Sequence, residues 1–341
     1  MKRLLGSLGL VVLVAIAVVA AGCGGSDKKT SSSSSGSKTT ASSTGSESVQ
    51  LTQGTNLKFA MVTHSDEGSF WSVVKKGAQA AAKAEGVKLI WSPSNNDPQK
   101  QAQLIDAAVS QKVDGLAVSV PNADAIKGSL QKAKAAGIPI ITLNSGADDF
   151  KKLGAITHVG QTEEIAGEAA GQKLKAAGAK KVLCVIHEQN NIGLQQRCDG
   201  VKKGFGGTVT NQQVKGTADI ATTQTEVKSK LQADKSYDAV MALNPDIAAA
   251  AVTAVKGAGS SAKIATFDIT PKVLSAIKDG TVLFAVDQQQ YLQGYLPIVF
   301  LKLYKENANT VGGGQPVLTG PGFVDKSNAA TVEKLAEAGT R

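Results

Sequence analysis

Residues 63–77 read T-H-S-D-E-G-S-F-W-S-V-V-K-K-G, from Thr63 to Gly77, and they join two kinds of pattern. Residues 57–62 before them are mostly apolar, and residues 72–85 after them carry apolar side chains at helical spacing. A strand that stops and a helix that starts within one short loop is the repeating unit of an α/β sheet. The junction holds a His, two carboxylates, a Gly and then Phe70 beside Trp71, in a chain that is only 4% aromatic. Ligands of open α/β sheets bind beyond the carboxyl ends of the strands. A Phe-Trp pair there can offer a flat apolar face to the C–H side of a sugar ring. The same two rings can equally serve to pack the first helix onto the sheet.

Outward from this stretch the unit repeats. Strand patterns fall at 57–63, 87–91, 113–119, 138–143, 181–186, 208–214, 239–243, 264–267 and 282–286. Ala- and Lys-rich segments with helical spacing lie between them, as at 72–85, 99–111 and 123–136. Alternating β and α predicts parallel sheets covered by helices on both faces. Nine or ten strands exceed one comfortable open sheet, so they are divided between two lobes. The strand ends are polar: Ser94-Asn95-Asn96-Asp97, Asn144-Ser145-Gly146, Asn244-Pro245-Asp246, Asp268 and Asp287-Gln288-Gln289. Singly, each is an ordinary turn or helix cap. Asp97 before Pro98 and Asp246 after Pro245 are good cap candidates. Together they supply the amides and carboxylates that a polyhydroxylated ligand needs.

The 341 residues suit one large or two ordinary domains, and 42% hydrophobic content can fill real cores. The net charge of +9 is spread thinly, without a run of five or six basic residues, so nucleic acid is not the expected partner. His64, His158 and His187 are scattered, and no Cys or His stands at metal-ligand spacing. Neither a metal nor another cofactor is expected. Met1-Lys2-Arg3, the apolar residues 4–21 and Ala20-Ala21-Gly22-Cys23 resemble a bacterial lipoprotein signal, cut before a lipidated Cys23. The competing reading is a transmembrane anchor, for which the apolar run is marginal in length. Either way the rest of the chain lies outside the cytoplasm. Residues 23–56 are Ser-, Thr- and Gly-rich and read as a flexible tether. Cys184 and Cys198 remain, as one disulfide closing a short loop or as two buried thiols; an oxidising compartment favours the disulfide.

Several motifs carry a family likeness. Val113-Asp114-Gly115-Leu116, the run Ala135-Ala136-Gly137-Ile138-Pro139-Ile140-Ile141-Thr142 with Asn144, and Phe70-Trp71 with Gly77-Ala78 resemble the type I periplasmic sugar-binding proteins. So do Val159-Gly160 with Gly167 and Gly171, Arg197 with Gly200, and Thr266-Phe267-Asp268. The ribose- and galactose-binding proteins of ABC importers are the known examples. The resemblance covers residue 57 to the C-terminus. It implies an α/β fold of two doubly wound parallel-sheet lobes joined by a three-segment hinge. Mapped here, residues 57–157 plus 289–318 form the first lobe, and 158–288 plus 319–341 the second. Residues 1–22 are the signal peptide and 23–56 the tether.

The resemblance also implies a cleft. Phe70 and Trp71 match the ring-stacking aromatics. Asn144 and Ser145 stand where the ribose-type pattern has a sugar-gripping Asp and Arg, and Gln195 where it has another Arg. Arg197 matches a second Arg of that motif, which either reaches the cleft or caps structure. Asn244 and Asp268 match hydroxyl-binding positions, and Gln288 a hinge Gln with Asp287 beside it. His64 and Glu67 lie in a loop longer than the ribose type, with His64 either facing ligand or serving as a cap. Two positive charges are replaced by neutral groups, which implies a neutral sugar or polyol other than ribose. The implied role is capture of a monosaccharide or related polyol for an ABC permease, by a lipid-anchored monomer facing the extracytoplasmic side. A sensor presenting sugar to a membrane receptor or kinase would share the same pocket. A secreted glycoside-active enzyme has only Glu67, Asp268 and Asp287 as cleft acids to draw on, and no Gly-x-Ser-x-Gly elbow. Binding without catalysis is therefore the expectation.

Overall fold

The computed structural model describes residues 56–341, so the signal peptide, Cys23 and nearly all of the tether lie outside the described residues. The opening stretch becomes β1 (Lys58–Thr63) and α1 (Gly68–Glu85). The first lobe continues through β2 (Lys88–Pro93), α2 (Pro98–Ser110), β3 (Gly115–Ser119), α3 (Ala123–Ala135), β4 (Ile140–Asn144) and β5 (His158–Gly160). The chain then crosses into α4 (Glu163–Ala176), β6 (Lys181–Ile186), α5 (Ile192–Phe205), β7 (Thr208–Gln213) and α6 (Ile220–Ala233). The second lobe goes on with β8 (Ala239–Ala242), α7 (Pro245–Gly257), β9 (Lys263–Phe267), α8 (Pro271–Asp279) and β10 (Val282–Asp287). The chain returns for α9 (Gln290–Asn307) and β11 (Val317–Leu318), then crosses a last time to β12 (Gly322–Asp325) and α10 (Ala329–Glu337).

Two six-stranded sheets result, ordered β11-β5-β4-β3-β1-β2 and β12-β10-β9-β8-β6-β7. Their strand pairs are parallel except β10 with β12. The central strands β3, β4 and β8 are buried along their whole length. That is why they read as continuous apolar runs rather than alternating ones. In the first lobe α1 and α9 cover one face of the sheet and α2 and α3 the other. In the second, α4 and α5 cover one face, and α6, α7, α8 and α10 the other.

Each of the nine expected strands is present. Three more, β5, β11 and β12, have two to four residues and sit beside the crossings. Segments so short leave no periodicity to read. One of them corrects a boundary: the lobe change expected between 157 and 158 comes later. His158, Val159 and Gly160 pair with Thr142, Leu143 and Asn144, so the first lobe runs to Gly160. His158 is completely buried there beside Thr142 Oγ1 at 3.0 Å, and burial pushes its imidazole down to about 3, keeping it neutral.

The first two crossings each lead into a helix, α4 and α9, that is pressed against another helix of the receiving lobe. Gly294 of α9 and Gly77 of α1 face one another's backbones. A Cβ on Gly294 would lie 1.9 Å from Val74 O, and one on Gly77 2.1 Å from Tyr291 O. The pair α4 and α5 repeats the device: Cβ atoms on Gly167 and Gly204 would lie 2.1 Å from Arg197 O and 1.9 Å from Glu168 O. A disulfide between Cys184 of β6 and Cys198 ties α5 to the sheet.

These contacts predict opposite outcomes at two helical glycines. Gly167→Ala must push α4 off α5 and is expected to lower the unfolding free energy by about 1–3 kcal/mol. Gly128→Ala in α3, where an added Cβ meets nothing within 4 Å, is expected to raise it by about 0.5–1 kcal/mol. Urea unfolding of the two variants measures both.

Candidate functional site

The strand order of each sheet reverses at one place, between β1 and β3 and between β6 and β8. A crevice opens at such a reversal beyond the carboxyl ends of the strands. Here the two crevices face one another across a narrow cavity lined from both lobes. From the first come His64, Glu67, Phe70 and Trp71; from the second come His187, Glu188, Asn191 and Arg197.

One wall is aromatic. Trp71 lies 4% exposed, with its ring 5.2 Å from that of Phe70 and 4.9 Å from that of His64, both nearly perpendicular to it. The rings belong to the core beneath α1 and also line the cavity.

The floor is built from equivalent positions in the two lobes. Asn144 is the last residue of β4, paired with Gly160, and Asp268 follows β9. Both adopt left-handed backbone, with φ of 61° and 66°, a conformation unfavourable by about 1–2 kcal/mol for residues with a Cβ. Asn144 Nδ2 donates to Gln293 Oε1 at 3.2 Å, and Gln293 Nε2 donates to Gln288 Oε1 at 3.0 Å. A chain of buried amides thus ties the first lobe to the hinge. Asp268 Oδ1 is buried without a hydrogen-bond partner among the described residues. Burial drives the Asp268 carboxyl up to about 7, against the pull of Arg197 and of a hydrogen bond from Gln288.

Arg197 is the cation on the wall, and it is already satisfied. Its Nε and Nη2 donate to Glu163 Oε2 and Oε1 at 2.5 and 3.0 Å, and Nη1 to Leu243 O at 3.3 Å. The guanidinium lies over the Phe267 ring, 4.6 Å from its centre. Burial disfavours its charge, but Glu163 more than offsets this and holds the guanidinium above its ordinary value. A forked, planar pair of this kind suits a buried site.

At the rim His64 meets Glu188. Ser119 Oγ accepts from the His64 amide at 2.8 Å and lies 2.7 Å from Nδ1. Nε2 stands 3.4 Å from Glu188 Oε2 in the other lobe. Burial would raise the Glu188 carboxyl, but the charge and hydrogen bond of His64 prevail and hold it well below the carboxylate range. Asn191 Nδ2 also donates to Glu188, at 2.7 Å. The neighbouring His187 is pushed down to about 4 by burial, and so is neutral.

The structure brings His64, Phe70, Trp71, Asn144, Arg197, Asn244, Asp268 and Gln288 to the cavity, with Glu67 beside them. Three residues named from the sequence face elsewhere. Gln195 is on the exposed side of α5, two residues from Arg197 but turned away by the helical period, and it donates to Asp199. Ser145 is buried outside the cavity and donates to Asn144 Oδ1 at 3.0 Å. The Asp287 carboxylate accepts from Gln289 N and Arg341 Nε, on the hinge side of Gln288. Sequence reasoning missed His187, Glu188, Asn191 and Thr217. A signal for the first three existed, because residues 181–186 form a strand whose end is the second lobe's own switch point. Among the described residues no three His, Cys, Asp or Glu side chains are grouped to hold a metal ion.

Comparison with known proteins adds four findings. A family model described as a periplasmic binding protein domain matches residues 59–308. The crystal structure of a carbohydrate transporter from Acidothermus cellulolyticus 11B in complex with myo-inositol is similar, with 45% identity and a TM-score of 0.82, over 84% of this chain and 100% of that one. The xylose/arabinose-binding protein XylF of Sulfolobus acidocaldarius is 25% identical over 82% of this chain and 73% of its own. The ribose import binding protein RbsB of Haemophilus influenzae is 28% identical over 70% of this chain and 82% of its own.

The raised Asp268 carboxyl predicts a pH effect. Its folded value of about 7 exceeds the 3.8 of the unfolded chain, so the folded state binds the extra proton between about pH 4 and 7. Stability from this group therefore falls as pH rises through that window. Asp268→Asn cannot titrate. Its stability relative to the parent, in urea unfolding without ligand, is expected to climb from pH 4 to 7 by up to about 4 kcal/mol. A difference that stays flat with pH would mean that the carboxyl ionises as in the unfolded chain.

Proposed function

Because this chain belongs to the periplasmic binding protein domain family, we propose that it captures a neutral monosaccharide or cyclic polyol between its lobes and delivers it to the permease of an ABC importer. The observation that carries this reading is the composition of the cavity wall. Phe70 and Trp71 line it with aromatic rings, and Asn144, Asn244, Asp268 and Gln288 line it with amides and a carboxyl group. Ligand hydroxyls donate to the carboxylates and accept from the amides, while the C–H face of the ring lies on Trp71. The Arg197 guanidinium is committed to Glu163. An anionic ligand would therefore meet Glu67, Glu188 and Asp268 without a free cation among the lining residues to balance it. The similarity to a structure holding myo-inositol supports placing a cyclic polyol first.

The relatives named above are binding and transport proteins, and this chain likewise works by binding and closure rather than turnover. It acts outside the cytoplasm. Its hold on the membrane is inferred from the N-terminus: Cys23 is lipidated after cleavage at Gly22, and residues 24–56 let the lobes reach a neighbouring permease. No described helix is long and apolar enough to cross a membrane.

Two measurements follow. Calorimetric titration with myo-inositol, xylitol, ribose, arabinose, an amino sugar and amino acids is expected to show binding to a neutral polyol or sugar. Trp71→Ala should weaken that binding at least about tenfold, ~1.4 kcal/mol. Binding confined to amino acids or the amino sugar would overturn the ligand class. Cys23→Ser is expected to move the protein from the membrane fraction to the medium of the producing cells; retention on the membrane would contradict lipid anchoring at Cys23.

A further inference from the structure

Asp246 follows Asn244 and Pro245 and reads as a cap for its own helix. In the structure that task belongs to Asn244, whose Oδ1 accepts from the amides of Asp246 and Ile247 at 2.8 and 3.4 Å. The Asp246 carboxylate turns outward and crosses to the other lobe. Its Oδ2 accepts from both Ser69 N and Ser69 Oγ, each at 3.1 Å.

Ser69 lies in the first turn of α1, and that helix lacks a cap of its own. Its N-cap residue, Glu67, makes no side-chain bond to the helix, and its first turn contains no acidic residue. The leading amides of a helix have no partners within it and carry the positive end of its dipole. Here a carboxylate 177 residues away answers them. Gly68 makes room for it: its φ is +78°, and a Cβ there would stand 2.6 Å from Asp246 Oδ2. Glu67 faces the cavity side, where Thr217 of the second lobe donates to its Oε2 at 3.4 Å. Phe70 and Trp71 follow Ser69 directly, while Asp246 itself is not among the cavity's lining residues.

Resting on the functional reading above, we propose that Asp246 is a positioning residue: it caps α1 from the opposite lobe only when the lobes close, fixing the aromatic wall and slowing ligand release without touching ligand. Opening the lobes strips α1 of its cap, so the contact adds to closure and subtracts from escape.

The test uses the full chain with myo-inositol as probe, in the parent, Asp246→Ala, Asp246→Asn, Ser69→Ala and the Asp246→Ala/Ser69→Ala double variant. Stopped-flow tryptophan fluorescence is expected to show a dissociation rate and Kd raised roughly five- to tenfold in Asp246→Ala, as for loss of an N-cap. The association rate should be unchanged. Asp246→Asn, which keeps an acceptor but no charge, should recover part of the loss. The double variant should lose little beyond Asp246→Ala, because both changes break one contact. A second measurement needs no ligand. Gln196 Nε2 donates to Asp148 Oδ2 across the lobes at 2.8 Å, so Asp148→Cys/Gln196→Cys joined by a short bifunctional maleimide reports closure. Asp246→Ala is expected to slow this cross-linking severalfold. An unchanged cross-linking rate, or additive effects of the two single substitutions on Kd, would overturn the proposal. Failure of the parent to bind myo-inositol would count against the ligand reading alone, and the cross-linking rate would still decide the role of Asp246.

Discussion

Parallel strands all end on the same side of a sheet, and here two sheets of mainly parallel strands direct those ends at one another. Every polar group of the cavity depends on that constraint. A parallel pair needs a covering crossover between its strands, so each strand end opens into a loop leading to a helix. Where the strand order reverses, neighbouring loops part and leave room for a ligand. The His64–Glu67 loop and the His187–Asn191 loop are the same feature in the two lobes. His64 meeting Glu188 is the contact between the two reversals.

Geometry this narrow needs firmly seated helices. α1 carries Phe70 and Trp71, and α5 carries Arg197. Each is gripped by the helix that follows a crossing, at glycines where backbones touch without side chains between them. The same seating brings Glu163, at the start of α4, against Arg197. Crossing, helix packing and cavity electrostatics are therefore one arrangement. The amide chain from Asn144 through Gln293 to Gln288 links it to the hinge.

Burial then decides which charges the cavity presents. His187 and His158 are held neutral, and Arg197 survives as a cation by sharing its fork with Glu163. Glu188 stays an anion because His64 and Asn191 support it. Asp268 lacks such support on one oxygen and is pushed toward neutrality. A wall of acceptors, with its cation internally paired, favours a ligand rich in hydroxyl donors.

Much of this was legible in the order of residues. Apolar runs alternating with helical spacing establish parallel α/β lobes, because strands covered on both faces cannot afford polar side chains. The polar strand ends and the Phe70-Trp71 pair mark the cavity for the same reason, since only loops at the carboxyl ends escape that covering. Three strands of two to four residues were beyond reach, because their identity lies in a partner strand and not in a period. Gln195 and Ser145 were misplaced for a related reason. Adjacency in sequence does not say which side of a helix or turn faces a gap two lobes wide. The roles of Glu163, Glu188 and Asp246 belong to the tertiary structure alone. Each acts on a group 34 to 177 residues distant, and only the packing of helices and the closure of lobes bring such pairs within hydrogen-bonding distance.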